Sequence, residues 1–327
     1  MIWMGSHRRS VVDGYMQCRM TRPILVQQVI NMPTRVLGNL GRWPVLALAG
    51  AVIAAGAVVA TRPSLGFTPL QTVRLAPHRA VYEMKLGDTR ANSSVSGLVG
   101  RMVFEFTGSQ CDGYTVNMRL VTRITDQSGK ALTSDLRSST WEEGDGDKFR
   151  FNSSQYLDQK LSELASGSAL REGKGEKVDV QVEKPKHIKL KLPASVMFPA
   201  QHARAILEAA MKGRSTFDAD LYEGSEKGEK VYSTTAFIGK ATPPGGDGDL
   251  DKIKNADVLK ALPSWPISIG YYEKEDGDGE EEAPSYELAY RYYANGVSRH
   301  LVIDYGDFSI HGSLQSLEFL DEPKCDQ

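Results

Sequence analysis

From His78 to the end of the chain, apolar residues recur at every second position, and this alternation limits the fold more than any other feature. In "RMVFEFT" (101–107), Met102, Phe104 and Phe106 lie on one side and Arg101, Glu105 and Thr107 on the other. In "GYTVNMRLVTRIT" (113–125), Tyr114, Val116, Met118, Leu120 and Ile124 oppose Thr115, Asn117, Arg119 and Arg123. A period of two marks strands with one buried face, and a sheet with one wet face is usually antiparallel. Further runs repeat the pattern: "KFRFNSSQY", "KVDVQVE", "STFDADLYEG", "KVYSTTAFIG", "WPISIGYYEK" and the stretch from Ser285 to Leu320. "NG" at 295–296 sets a tight hairpin between two of them, and "YG" at 305–306 suggests another turn. The reading is an all-β, mainly antiparallel fold of about a dozen or more strands, a broken barrel or curved sandwich. Its one main α-helix is "FPAQHARAILEAAMKGR", opened by Pro199 and stopped near Lys212 and Gly213. Ala203, Ile206, Leu207 and Ala210 form its apolar stripe. A second short helix is expected over 250–260.

One segment departs from this pattern. Val45 to Ala60 is a run of 16 residues without a charge, preceded by Arg35 and Arg42 and ended by small residues. It is short for a spanning helix, which needs about 20 apolar residues, and it suits the centre of a secretory signal. An uncleaved anchor and a buried helix are the alternatives. Residues 1–60 read as a presequence, with 1–31 an upstream extension ahead of a start at Met32 or Met20. Residues 61–74 form a flexible lead, and 75–327 a single domain.

Export decides what the cysteines do. Removal of residues 1–60 takes away six arginines, Asp13 and Cys18, leaving 33 basic and 40 acidic side chains, a net charge of −7. That balance argues against nucleic acid as a partner. Cys111 and Cys325 remain, and two cysteines in an oxidising compartment most often pair. Neither has His or Cys neighbours at zinc spacing, and a nucleophilic thiol would tend to be capped there.

The residues carry no reaction signature. Asp247, Asp249 and Asp251 alternate as calcium ligands can, but the Gly and late Glu of a calcium loop are out of register. Acidic, Gly-rich loops lie at 142–149, 243–251 and 274–284, and the last two read as mobile surface loops with solvated tips. His78, His187, His202, His300 and His311 form no metal pair, and no nucleophile elbow, phosphate loop or dinucleotide glycine pattern is present. The expectation is no enzyme, no metal and no cofactor. Aromatic residues gather late, and Trp265, Tyr271, Tyr290 and Tyr292 are the candidates for a concave binding surface, with core packing as the plainer explanation.

Several motifs in order, "LAPHRAVYEMKL" (75–86), "GSQCDGYTVNMRLVT" (108–122), "SDLRSSTWE" (134–142), "LPASVMFPAQH" (192–202), "WPISIGYY" (265–272) and "ANGVSRHLVIDYGDFSIHGSLQSLEFL" (294–320), resemble the EipB family of alphaproteobacterial envelope-integrity proteins. The resemblance implies a periplasmic β-spiral of about fourteen strands, with Cys111 and Cys325 at the positions of one disulfide. It implies a part in envelope stability without an assigned enzymatic activity. It also implies a periplasmic protein partner, a tetratricopeptide-type protein among the candidates. Three functions compete: a non-catalytic scaffold or binding module, a carrier for a lipid or lipoprotein acyl chain, and a hydrolase of envelope polymers. A helix plugging the concave face favours the scaffold, and an open apolar face favours the carrier. The exported protein should begin near Thr61; N-terminal sequencing checks this, and a chain still carrying Trp43 would contradict it.

Overall fold

Each alternating run becomes a strand of one continuous sheet. The computed structural model describes residues 73–327 except 92, 274–282, 324, 326 and 327. The presequence, the start sites, nearly all of the 61–74 lead and most of the 274–284 loop lie outside the described residues. In chain order the strands are β1 (His78–Thr89), β2 (Val95–Ser109), β3 (Gly113–Asp126), β4 (Ala131–Glu142), β5 (Lys148–Leu157), β6 (Lys160–Arg171), β7 (Val178–Lys184) and β8 (Ile188–Leu192). The helix α1 (Pro199–Met211) follows, then β9 (Thr216–Leu221), β10 (Tyr232–Ile238), β11 (Ser264–Glu273), β12 (Tyr286–Tyr293), β13 (Ser298–Asp304) and β14 (Phe308–Phe319).

All fourteen strands pair in the order β8-β7-β6-β5-β4-β3-β2-β1-β14-β13-β12-β11-β10-β9. Two antiparallel meanders are therefore joined by one long-range pairing, β1 against β14, from His78↔Phe319 to Thr89↔Phe308. The two ends of the sheet, β8 and β9, are not paired with each other, so the curl stays open. The chain crosses that opening through residues 193–215. Before the helix, Met197 runs parallel to β9: its amide donates to the Asp220 carbonyl at 2.8 Å, and its carbonyl accepts from the Tyr222 amide at 3.0 Å.

The apolar faces form three clusters. Phe149, Phe151, Val178, Val180, Phe198 and Tyr222 pack under the β5–β8 end. Ala80, Tyr82, Met84, Leu98, Phe308, Ile310 and Leu317 fill the β1–β14 region, covered by Leu250, Ala256 and Leu259. Leu250 and Leu259 come from two short 3-10 turns, Leu250–Lys252 and Asp257–Ala261, and Ala256 from just ahead of the second, in place of the expected second helix. Asn255, with φ of 62°, separates the turns and prevents one continuous helix. The third cluster joins α1 to β9–β12.

The helix buries more than its expected stripe. Ile206, Leu207 and Ala210 are buried, and so are Ala200, His202 and Ala209, whereas Ala203 is only half-buried. A helix lying inside a curl meets neighbours on more than one side, which widens the buried arc beyond one stripe. At its end, Gly213 takes φ of 71°, and the amides of Gly213 and Arg214 return to the carbonyls of Ala210 and Ala209 at 3.0 Å.

Cys111, in the turn between β2 and β3, is bonded to Cys325, with Cα atoms 5.6 Å apart. The tail after β14 runs back beside the start of β1, where the Leu320 amide donates to the Pro77 carbonyl. The disulfide thus fastens the end of the chain to the β2–β3 turn across a sequence separation of 214. The chain-entropy account gives such a loop on the order of 5 kcal/mol.

Because Leu207 is fully buried, Leu207→Ala should cost about 2–5 kcal/mol and lower the melting temperature by several degrees. Thermal unfolding checks this, and an unchanged melting curve would place the helix outside the cooperative unit.

Candidate functional site

The candidate surface begins with the register of β11 and β12. Trp265 lies opposite Tyr292, Ile267 opposite Tyr290, Ile269 opposite Leu288, and Tyr271 opposite Tyr286. Residues opposite each other in an antiparallel pair share a face. Trp265, Tyr271, Tyr290 and Tyr292 therefore stand together on the inner face of the curl. The rings touch: Tyr271 stacks on Tyr286 at 4.3 Å, and Tyr290 meets Tyr292 edge-on at 5.3 Å.

This face is mostly covered. Trp265, Tyr271 and Tyr292 are buried in the cluster that holds Ile206 and Leu207 of α1. The Tyr292 hydroxyl points at the Ala203 carbonyl, 3.5 Å away. Loss of water pushes the Tyr271 and Tyr292 hydroxyls well above their ordinary range. Tyr290 is half-buried and packs against both this cluster and the β1–β14 cluster. Across the curl from it, Phe104, Val116, Met118 and Leu120 also remain half-buried.

What seats the helix is Glu142. Phe198, the residue before α1, offers no side-chain cap to the first amides. The carboxyl group of Glu142, reaching from the last position of β4, accepts from the Ala200 amide at 2.6 Å and the Gln201 amide at 2.8 Å. An acceptor at a helix N-terminus satisfies unpaired N–H groups and meets the positive end of the dipole. Beside it, buried Arg171 donates to the carbonyls of Gly146 and Val196 at 2.6 Å each and lies 5.5 Å over the Phe198 ring. Although Glu142 opens the acidic stretch 142–149, it is buried, as is Phe149. An acid at a strand end looks solvent-facing in sequence, and only the fold places a helix end above it.

The acidic loop at 243–251 is corrected in part. Asp249 and Asp251 are exposed, but Asp247 accepts from Arg299 at 3.2 Å and lies 3.6 Å from the Arg291 guanidinium. It also accepts from the Tyr293 hydroxyl. Arg299 is buried, so this cluster fixes the loop over the sheet. Among the described residues, no group of three or more His, Cys, Asp or Glu side chains is arranged to hold a metal ion. His78 is buried with Nδ1 2.7 Å from the Ala76 carbonyl, and His202 is buried with Nε2 2.9 Å from Thr234 Oγ1. Burial lowers both, His202 to about 4, so these rings stay neutral at pH 7. His187, His300 and His311 are exposed.

With the geometry in place, three comparisons bear on it. The EipB-like family profile matches residues 69–321. A Brucella abortus (strain 2308) protein named cell envelope integrity protein EipB is 37% identical over 256 residues, covering 77% of this chain and 87% of that protein. A crystal structure of a beta-barrel-like protein of a domain of unknown function from Brucella abortus superposes with a TM-score of 0.68 at 34% identity. It covers 76% of this chain and 100% of its own.

Glu142 also predicts a pH dependence. Burial raises its carboxyl to about 7, against the opposing pull of the two amides and of Arg204 and Arg171. Between the ordinary carboxyl range and pH 7 the folded chain holds a proton that the unfolded chain has released. The group's contribution is therefore complete below the unfolded value and is lost as pH rises through about 7. Denaturant titrations at pH 5 and pH 7 should show greater stability at pH 5 from this source. Glu142→Gln should remove that part of the difference while lowering stability overall, since an amide nitrogen cannot accept from the second N–H. An unchanged pH difference in the variant would contradict the assignment.

Proposed function

The chain belongs to the EipB-like family, and from that premise we propose that it maintains cell-envelope integrity in the periplasm as a non-catalytic scaffold or binding module. The observation that carries this reading is the position of α1. The helix fills the aromatic side of the curl, where Ile206 and Leu207 are fully buried and Trp265, Tyr271 and Tyr292 pack against the same cluster. An interior spent on packing leaves recognition to the outer face, the sheet ends and the loops. A disulfide-fastened sheet with a filled interior suits holding a partner, proposed here as a periplasmic protein, for which the tetratricopeptide type is a candidate. The named role of the Brucella relative supports the same reading.

One observation favours a second reading. Phe104, Val116, Met118, Leu120 and Tyr290 keep part of their apolar surface open on the inner face, which would suit an acyl chain carried in the remaining space. Mass spectrometry of native protein purified from cells discriminates: co-purified lipid supports the carrier, and its absence the scaffold.

Cells lacking this chain are expected to become sensitive to detergents and to cell-wall antibiotics. Alanine variants of His78, His187, His202, His300 and His311, tested singly, should restore resistance, whereas Cys111→Ser should restore it only partly. A stable, exported histidine variant that fails as completely as the deletion would overturn the non-catalytic reading and return the hydrolase.

A further inference from the structure

The side chains of β1–β5 that point away from the core form an ordered array that the packing does not use. Register places Arg79, Glu105, Asn117, Ser139 and Asn152 in one row across the five strands. The next row carries Val103, Arg119, Arg137 and Ser154. Between them runs a shallow, open groove of about 640 Å³. It crosses strands about 4.8 Å apart and is therefore elongated.

The lining offers both donors and acceptors. Ser139 Oγ donates to Asn117 Oδ1 at 2.7 Å, which fixes the orientation of that amide. Arg119 and Arg137 converge on Asp135, at 2.9 and 2.8 Å. Their guanidinium groups hold the Asp135 carboxyl down to about 2, so two positive charges share one negative charge. Arg101, Arg123 and Arg150 are exposed on the same face, by register. Half-exposed Trp141 stands in the row beyond Asn117 and Ser139, with the Arg150 guanidinium 5.4 Å over its ring. This basic face belongs to a chain whose charge after residue 60 is −7.

We propose that this outer groove binds an acidic glycan, a sugar chain carrying carboxylate groups. Sugar hydroxyls are donors and acceptors at once, which Asn117, Ser139, Asn152 and Ser154 match. Arg119 and Arg137 each spend Nε and Nη2 on Asp135, which leaves their Nη1 groups and their shared excess positive charge for a carboxylate. Trp141 supplies a flat apolar ring for a sugar face. A phosphate surface asks only for donors, and the acidic remainder of the chain would be repelled by an anionic membrane. The inference deepens the binding-module reading above and rests on it, by naming what the module holds.

The test uses the disulfide-bonded protein from residue 61 onward. Calorimetric and tryptophan-fluorescence titrations compare an oligogalacturonate, a neutral chito-oligosaccharide of equal length, and vesicles of phosphatidylglycerol. The oligogalacturonate should bind about tenfold or more tighter than the neutral sugar and should change Trp141 emission; Trp141→Phe, which leaves Trp265, assigns that signal. Arg119→Gln with Arg137→Gln should weaken binding about tenfold or more, and Asn152→Ala several-fold, at an unaltered melting temperature. Equal binding of the neutral sugar, binding to vesicles alone, binding untouched by these variants, or no binding at all would overturn the proposal. Should wild-type protein restore a deletion strain while binding none of the sugars, the glycan inference falls and the envelope role stands.

Discussion

The carboxyl group of Glu142 is the contact on which the arrangement of the interior depends. A helix that begins after Phe198 has no cap of its own, and a buried helix end without partners costs about as much as the lost hydrogen bonds. Glu142 supplies two acceptors from the end of β4, while Arg171 holds the Val196 carbonyl of the approaching segment. Together they determine where the chain between β8 and β9 can lie. That segment lies across the opening beside β9, where β8 and β9 do not pair and the sheet remains an open curl.

The remaining features distribute work between the two faces. Inside, helix and aromatic residues pack so that Trp265, Tyr271 and Tyr292 contribute to cohesion. Around the seam, β1 pairs on both sides, with β2 and with β14, and the Cys111–Cys325 bond secures the same end of the sheet. Outside, β1–β5 present arginine, asparagine and serine in rows. Those rows serve no core and hold one another in place through their own ion pairs and hydrogen bonds. Rigidity from the inside thus gives the outer rows a fixed spacing, which an extended ligand needs.

Much of this was legible in the sequence because a half-buried antiparallel strand writes its face into every second residue. The inner face of β3, from Tyr114 to Ile124, and the Asn295–Gly296 turn are cases where local chemistry and final structure agree; Gly296 adopts φ of 87°. Strand β6 was not legible. Its "SELASGSA" core has small and polar residues on both faces, and it is a strand because β5 and β7 pair with it. The short β8 was missed for lack of length. For the candidate surface, Trp265, Tyr271, Tyr290 and Tyr292 do share one face, but the sequence could not show that a helix would cover three of them. Asp247 looked like a solvated acid and Glu142 gave no sign of its role, because their partners, Arg291, Arg299 and α1, are distant in the chain.

The central claim is that α1 belongs to the interior of the sheet as firmly as the strands do. Amide hydrogen exchange of the disulfide-bonded protein, resolved over residues 199–211, tests it most directly. The account predicts that the α1 amides of Ile206, Leu207 and Ala210 exchange only with global opening, as slowly as those of β1 and β2. Exchange of α1 through a local opening, far faster than these central strands, would contradict it.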